Sequence, residues 1–219
     1  LYATATDVKG LLLRWQPVEI ALTVLTVGVL ARIALTVRKG KDTDVYEDYR
    51  FGSLPGAVGN VAAGAGILMT VLTAAPGMGS NLDGVWHCLG LAAPVCLLAA
   101  GIARGLGKKP FFLLHVAVCL FFVLHIVTRY QLWSGHPQMQ DYIFSLLGAM
   151  TLMFFGFYTA ALEAGCGNIS LLRGMGLAAI YLCTAELARS SCPGLYLGGI
   201  LWVLTDLCGL RKARREEIE

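Results

Sequence analysis

The sequence predicts an all-α integral membrane protein, a bundle of about seven transmembrane helices. Of its 219 residues, 57% are hydrophobic and only 14% are charged, whereas an ordinary soluble domain carries about 25% charged residues. The mean hydropathy is +0.68. Apolar runs repeatedly reach or approach the roughly 17 to 25 residues that a spanning helix needs. These runs are continuous, while a membrane β-barrel would show segments of about ten residues with alternating polarity.

The predicted spans follow one another with short connections, and no internal repeat divides them. We place them at Pro17 to Val37, Leu54 to Ala75, Val85 to Leu106, Pro110 to Tyr130, Asp141 to Ala164, Ile169 to Ala188 and Gly194 to Leu210. We therefore expect one transmembrane domain over residues 17–210, an outer segment over residues 1–16 and a charged cytoplasmic tail over residues 211–219. Leu1 stands where a start methionine would, which allows for a trimmed or omitted initial segment.

Lysine and arginine are unevenly divided between the two sides of these spans. One side collects twelve of them, and the other carries only Lys9, Arg14, Arg129 and Arg189. Because cytoplasmic loops are enriched in Lys and Arg, we predict a multi-pass plasma-membrane protein with its N-terminus outside and its C-terminus in the cytoplasm. The net charge of +3 follows from this bias. It therefore indicates no nucleic-acid partner.

Several classes of site are excluded by missing motifs. The chain has no HExxH, GxSxG or Walker sequence. The sequence therefore does not decide whether the protein is an enzyme, but it favours a protein that is not one. Seven spans with an outer N-terminus resemble rhodopsins, yet the seventh span has no lysine for a retinal Schiff base. The seven cysteines form no CxxC pair, which argues against a zinc or thioredoxin-like site. Cys88 and Cys192 share the outer depth, where a disulfide between them would be allowed.

Small residues and one polar loop indicate packing features. The second span is rich in Gly and Ala, and GxxxG spacings occur at Gly52 to Gly56 and Gly194 to Gly198. Small residues let helices approach closely in lipid, so we interpret these stripes as packing seams. The longest polar connection, Arg38 to Ser53, mixes both signs of charge. We interpret it as a solvated cytoplasmic loop in preference to a docking site.

Ionisable residues inside spans are the default functional candidates because burying them in a membrane is costly. On the fourth span, helical spacing places one set on a single face that we expect to look into the bundle: His115, Cys119, Phe122, His125 and Arg129. Phe111, Phe121 and Val127 are expected to look elsewhere. Each histidine is also consistent with a buried group that simply bonds to a neighbouring helix.

Depth divides the remaining candidates into an outer and an inner set. The outer ligand-binding set is Arg129, His125, Glu186, Asp141, His87 and His136. In it, Arg129 would hold an anion, His125 would act as donor or proton carrier, and Glu186 or Asp141 would neutralise Arg129 in the empty site. Asp206 and Glu163 are expected to form an inner gate. No metal site is predicted, and no particular cofactor is indicated.

Three functions are compatible with these residues. The preferred one is binding, sensing or transport of a small solute or ion through an outward-facing polar pocket. The alternative is a structural or accessory subunit, whose sign would be exposed small-residue seams on the second and seventh spans. A haem-binding electron carrier with His87 and His125 as axial ligands is third. The expected partners are the lipid bilayer, a small-molecule or ion ligand, and a membrane protein or a second copy of the chain.

The segment Thr128 to Gly167 resembles a family of uncharacterised polytopic membrane proteins from anaerobic Firmicutes. The residues that carry the likeness are Arg129, Tyr130, Trp133, Ser134, Pro137, Asp141 and Tyr142. A weaker likeness continues through LYLGGILWVLTDLCGL. The resemblance covers less than half of the chain. It implies a bacterial plasma membrane and carries no chemical function.

Overall fold

The fold is an all-helical bundle, as the sequence predicts. The computed structural model describes residues 17–40, 49–51, 53–73, 81–133, 143–187 and 192–212. The helices in these ranges are α1 (Pro17–Gly40), α2 (Ser53–Thr73), α3 (Asn81–Gly105), α4 (Leu113–Trp133), α5 (Ile143–Glu163), α6 (Ile169–Leu187) and α7 (Pro193–Gly209). Each predicted span corresponds to one helix, and the predicted ends differ from the observed ones by at most four residues.

The lengths of the helices agree with a membrane location. Five of them, α2 to α6, are long and apolar enough to cross a bilayer. Helix α1 has 24 residues, which exceeds the about 20 that a span requires. Helix α7 is a shorter apolar helix of 17 residues, at the lower end of the spanning range.

Six of the helices form a closed ring in chain order. Each of α2 to α7 packs mainly against the helices before and after it, and α7 closes the ring against α2. The interior of this ring is filled by large apolar side chains, including Trp86, Phe121, Phe155 and Trp202, each at most 1% exposed. Helix α1 lies outside the ring against α6, where the hydroxyls of Thr26 and Tyr181 are 3.0 Å apart.

Helices α2 and α7 meet along a seam of small residues. A Cβ on Gly198 would lie 2.6 Å from the Ala62 carbonyl oxygen, and a Cβ on Gly66 would overlap the Gly194 carbonyl. The glycines of the seventh span therefore pack against the glycines and alanines of the second. The predicted packing seams lie inside the described bundle, facing each other. Gly52 lies outside the described residues.

A short two-stranded ribbon joins the first loop to the end of the chain. Strand β1 (Tyr49–Phe51) pairs antiparallel with β2 (Leu210–Lys212), with Arg50 opposite Arg211. The first loop and the start of the tail therefore lie at the same end of the bundle, as alternating spans require. The sequence predicted a solvated loop and a tail there, and missed this pairing. Three-residue strands carry too little pattern to be recognised in a charged loop.

Replacing Gly198 with alanine tests the α2–α7 seam. The added methyl has to displace backbone, so we expect a loss of about 1–3 kcal/mol, which corresponds to a melting temperature lower by about 2–4 °C for each kcal/mol. Gly84→Ala is the control, because nothing lies within 4 Å of its Cβ position. Thermal unfolding in detergent measures both. A Gly198→Ala protein that melts at or above the wild-type temperature would show that the seam is not close-packed.

Candidate functional site

Four ionisable side chains from four helices meet at one end of the ring. Arg104 of α3 donates from Nη1 to Asp206 Oδ1 of α7 and from Nη2 to Glu163 Oε1 of α5, each at 2.7 Å. His115 Nδ1 of α4 lies 2.8 Å from Glu163 Oε2. We call Arg104, His115, Glu163 and Asp206 the inner charge cluster. The structure thus brings together the two residues of the predicted inner gate, with Arg104 between them.

Helix ends hold two members of this cluster in place. Helix α3 is followed by Gly107 (φ +71°), and Lys108 N donates to Ala103 O at 2.9 Å. Helix α5 ends in the same way at Gly165 (φ +85°), with Cys166 N donating to Ala161 O at 2.9 Å. Both are Schellman ends, in which glycine adopts a left-handed conformation that other residues avoid. Arg104 and Glu163 therefore sit in the last turn of rigidly terminated helices.

The inner charge cluster is sealed from its surroundings by close packing. None of its four side chains is more than 2% exposed. The His115 ring stacks on the indole of Trp202, with centroids 6.0 Å apart and planes at 18°. On the α2 side, a Cβ on Gly56 would lie 3.1 Å from Arg104 Cδ and 3.6 Å from Asp206 Oδ1. Glycine at this position therefore lets α2 approach the ion pair without pressing on it.

Several buried polar atoms around the cluster have no hydrogen-bond partner among the described residues. They include Asp206 Oδ2, Glu163 Oε2, both ring nitrogens of His115, Trp202 Nε1 and both polar side-chain atoms of Asn60, a residue with 0% exposure. Asn60 lies one helical turn after Gly56 on α2, and its Cβ is 3.3 Å from the Cβ position of Gly101, one turn before Arg104. Buried polar atoms are nearly always partnered. A further donor or acceptor in this layer would therefore satisfy these atoms.

Charge counting distinguishes the inner charge cluster from a simple salt bridge. Two carboxylates face one guanidinium, so the four groups carry a net charge of −1 when His115 is neutral. A buried net charge is costly in a low-dielectric interior. Helix dipoles do not supply the missing positive charge, since three ring helices begin and three end here and their partial charges roughly cancel. One proton or one cation would balance the cluster.

The outer candidate residues fall into separate groups, whereas the inner candidates meet in one cluster. His125 is 2% exposed and lies against Trp86 and Phe121, with centroid distances of 6.3 and 5.8 Å. His87 is half-buried, and its ring lies edge-on to Trp86 with the centroids 5.0 Å apart. His125 therefore belongs to an aromatic layer of the core. A haem bound by His125 would have to displace Trp86 and Phe121, so this arrangement does not suit the group.

Two further outer candidates face the first turns of α7. Arg129 is half-buried and donates from Nη2 to Cys192 Sγ at 3.1 Å. Glu186 is buried on α6, within electrostatic range of Tyr196. Tyr196 lies one turn after Cys192, and its hydroxyl is 2.5 Å from Ser145 Oγ. We call Ser145, Glu186, Tyr196, Arg129 and Cys192 the outer polar group. His136 and Asp141 lie outside the described residues.

Two expectations need correction. Phe121 was predicted to look away from the bundle and is fully buried, because α4 is flanked by both α3 and α5 and buries a wider arc than one face. The expected outward direction of Phe111 and Val127 is confirmed. Cys88 is exposed and Cys192 is buried against Arg129, so the disulfide that their depth allowed is not formed.

Arg104 was not recognised as a site residue. The sequence places it at the end of a span, where it counts as one more cytoplasmic cation. Its position beside the last glycines of α3 carries no signal for burial. The two intramembrane acids, Glu163 and Asp206, did require a cation, and Arg104 is the nearest at that depth. The need of these two acids for a cation is the sequence signal that identifies Arg104.

Comparison with known proteins gives no further constraint. No protein-family model, curated protein or solved structure matches the chain. The likeness to membrane proteins of Firmicutes therefore stays a prediction, and function has to be argued from geometry.

Replacing Arg104 with methionine tests the central role of its guanidinium. Two carboxylates would be left buried without their cation, so we expect a loss of about 3–5 kcal/mol. Adding Glu163→Gln and Asp206→Asn should recover part of that loss. Lys108→Met, an exposed residue at the same end, is the control and should stay within about 0.5 kcal/mol. Equal melting temperatures for Arg104→Met and Lys108→Met would contradict a buried ion cluster.

Proposed function

We propose that this protein binds a small ion or solute inside a helical membrane bundle and senses or transports it. The observation that carries the proposal is the inner charge cluster, in which Arg104 is bonded to two buried carboxylates and His115 Nδ1 lies 2.8 Å from one of them. Ionisable groups inside a membrane are costly, and in membrane proteins they mark ion or proton pathways. The surplus carboxylate gives this cluster a charge that can change.

Stability alone does not account for such a cluster. Buried ion networks are often no more stabilising than apolar residues of similar volume. The same four helix ends could be joined by leucine and phenylalanine, which fill the rest of the ring. A functional role for the charges therefore explains their presence better than a packing role.

Transport assigns a distinct task to each end of the ring. The outer polar group would receive the solute, with Arg129 and Glu186 as its charged members and His125 one turn deeper. At the other end, Arg104 ties α3 to both α5 and α7 through its two ion pairs. Breaking these pairs would separate three helices at once. Glu163 and Asp206 would then act as the inner gate, and Arg104 would hold this gate closed.

The structural-subunit alternative loses its main support. Its expected sign was exposed small-residue seams on the second and seventh spans, and these seams pack against each other in the described bundle. We further propose that the protein lies in a bacterial plasma membrane, with the inner charge cluster on the cytoplasmic side. The Lys and Arg distribution supports this orientation.

Proton movement through the cluster can be measured in proteoliposomes. With an acidic interior, a pH-sensitive dye inside, and sodium or potassium chloride added outside, we expect wild-type vesicles to become alkaline faster than protein-free ones. Glu163→Gln should reduce the rate to that of protein-free vesicles, because it removes the carboxylate that faces both Arg104 and His115. The matched control is Thr159→Val, one turn away on α5, whose buried hydroxyl bonds only locally to Phe155 O. Identical rates in all four samples would exclude transport and leave sensing.

Cysteine labelling tests the orientation. Cys166 is exposed in the turn between α5 and α6, at the end that we assign to the cytoplasm. In a variant that keeps only this cysteine, a membrane-impermeant maleimide should react only after the cells are permeabilised. A second variant carries Ser80→Cys, in the connection between α2 and α3, as its only cysteine, and it should react in intact cells. The opposite pattern would reverse the predicted topology.

A further inference from the structure

The unpartnered polar atoms near the inner charge cluster come from neighbouring helices at adjacent depths. Gly56 of α2 contacts both Arg104 and Asp206, and Asn60 lies on the same face of α2 one turn towards the outer end. On α7, Trp202 lies one turn from Asp206 in the same direction, and its Cα is 3.1 Å from the Cβ position of Gly59. Asn60 therefore faces the region between α2, α3 and α7, directly beyond the Arg104–Asp206 pair.

Two of the unpartnered atoms in this region are oxygens, beside the nitrogens of Asn60, Trp202 and His115. Asp206 Oδ2 and Asn60 Oδ1 both lack a hydrogen-bond partner among the described residues, although both side chains are fully buried. Asp206 Oδ1 is already bonded to Arg104. A carboxylate oxygen and an amide oxygen without partners are hard ligands, which suit alkali and alkaline-earth cations.

The net charge of the cluster determines which charge a bound ion needs in order to neutralise it. With His115 neutral, the cluster carries −1, which one monovalent cation neutralises and a divalent cation would overcompensate. An anion would add to the surplus negative charge.

We propose that Asp206 and Asn60 form a binding site for a monovalent metal cation, sodium or potassium, whose occupancy excludes a proton on the His115–Glu163 pair. The inference deepens the proposed function and rests on it. It names the ion class that the inner charge cluster handles. The cation and the proton neutralise the same surplus charge, so each weakens the binding of the other.

The groups that face Asp206 from the packed elements are few. Arg104 comes from α3, His115 from α4 and Glu163 from α5. Helix α2 contributes Gly56 and the neutral Asn60. On α6 the only charged residue of the inner half is Arg173, which is exposed, as are Lys108 and Lys109 in the α3–α4 turn. Among the described side chains, the exchange therefore involves one histidine and two carboxylates around one fixed arginine.

Thermal unfolding of the full chain in detergent tests the site without any need for transport. Sodium chloride and potassium chloride are compared with choline chloride at equal ionic strength, at alkaline and at mildly acidic pH. At alkaline pH, sodium or potassium should raise the melting temperature by about 2–4 °C or more. The apparent dissociation constant should increase about tenfold for each pH unit of acidification, the limit for exchange of one proton against one cation.

Asn60→Leu distinguishes a lost site from a damaged fold. Leucine removes two buried amide atoms that lack partners, so the variant should melt at or above the wild-type temperature in choline. It should lose the response to sodium and potassium. Thr70→Val, a buried polar residue further along α2 whose hydroxyl bonds to Gly66 O, is the control and should keep the response.

The possible outcomes separate this inference from the proposed function. Stability that depends on pH but not on the cation would overturn the site, as would an unchanged cation response in Asn60→Leu. If either occurs while Glu163→Gln still abolishes proton flux, the proposed function stands and the cation site is wrong. A cation response that Asn60→Leu removes supports the site even in vesicles that show no flux, and then transport alone is excluded.

Discussion

The inner end of this bundle depends on the two ion pairs that Arg104 forms, one with Glu163 and one with Asp206. One guanidinium bonds to carboxylates from two other helices at 2.7 Å each. Because these groups are almost completely buried, water cannot replace any of them when a partner is lost. The positions of α3, α5 and α7 at this end are therefore coupled, and His115 extends the coupling to α4.

The glycine-rich seam and the inner charge cluster depend on each other. Gly56 lets α2 approach the Arg104–Asp206 pair closely, because it has no side chain to press against them. Further along, Gly59, Gly66 and Gly198 bring α2 and α7 to backbone contact. In lipid, such contact is favoured by van der Waals packing, while the ion pair of Asp206 with Arg104 joins α7 to α3.

The sequence predicts the helices well because a single strong constraint sets their length. Each backbone polar group in a membrane must be bonded within its own helix, so apolar runs translate almost directly into α1 to α7. Depth, which follows from position within a span, also predicted that Glu163 and Asp206 would lie at the same end. Partner choice did not follow, because it depends on rotation of each helix about its axis. Arg104 and Phe121 were misplaced for this reason, since a charge near a span end and a ring on a broad helix face have no periodic signal.

The buried surplus charge links the ion content of the cluster to its geometry. Under the proposed function, a net charge of −1 is unfavourable while the inner end is closed, so a proton or a cation is retained. When water enters, the same carboxylates are solvated, the cost of the charge falls, and the retained ion is released more easily. The ion pairs of Arg104 weaken under the same conditions, because their strength depends on the low dielectric constant. Separation of α3 from α5 and α7 and loss of the balancing ion therefore favour each other. Under the proposed function, gate opening and ion release are two aspects of one event.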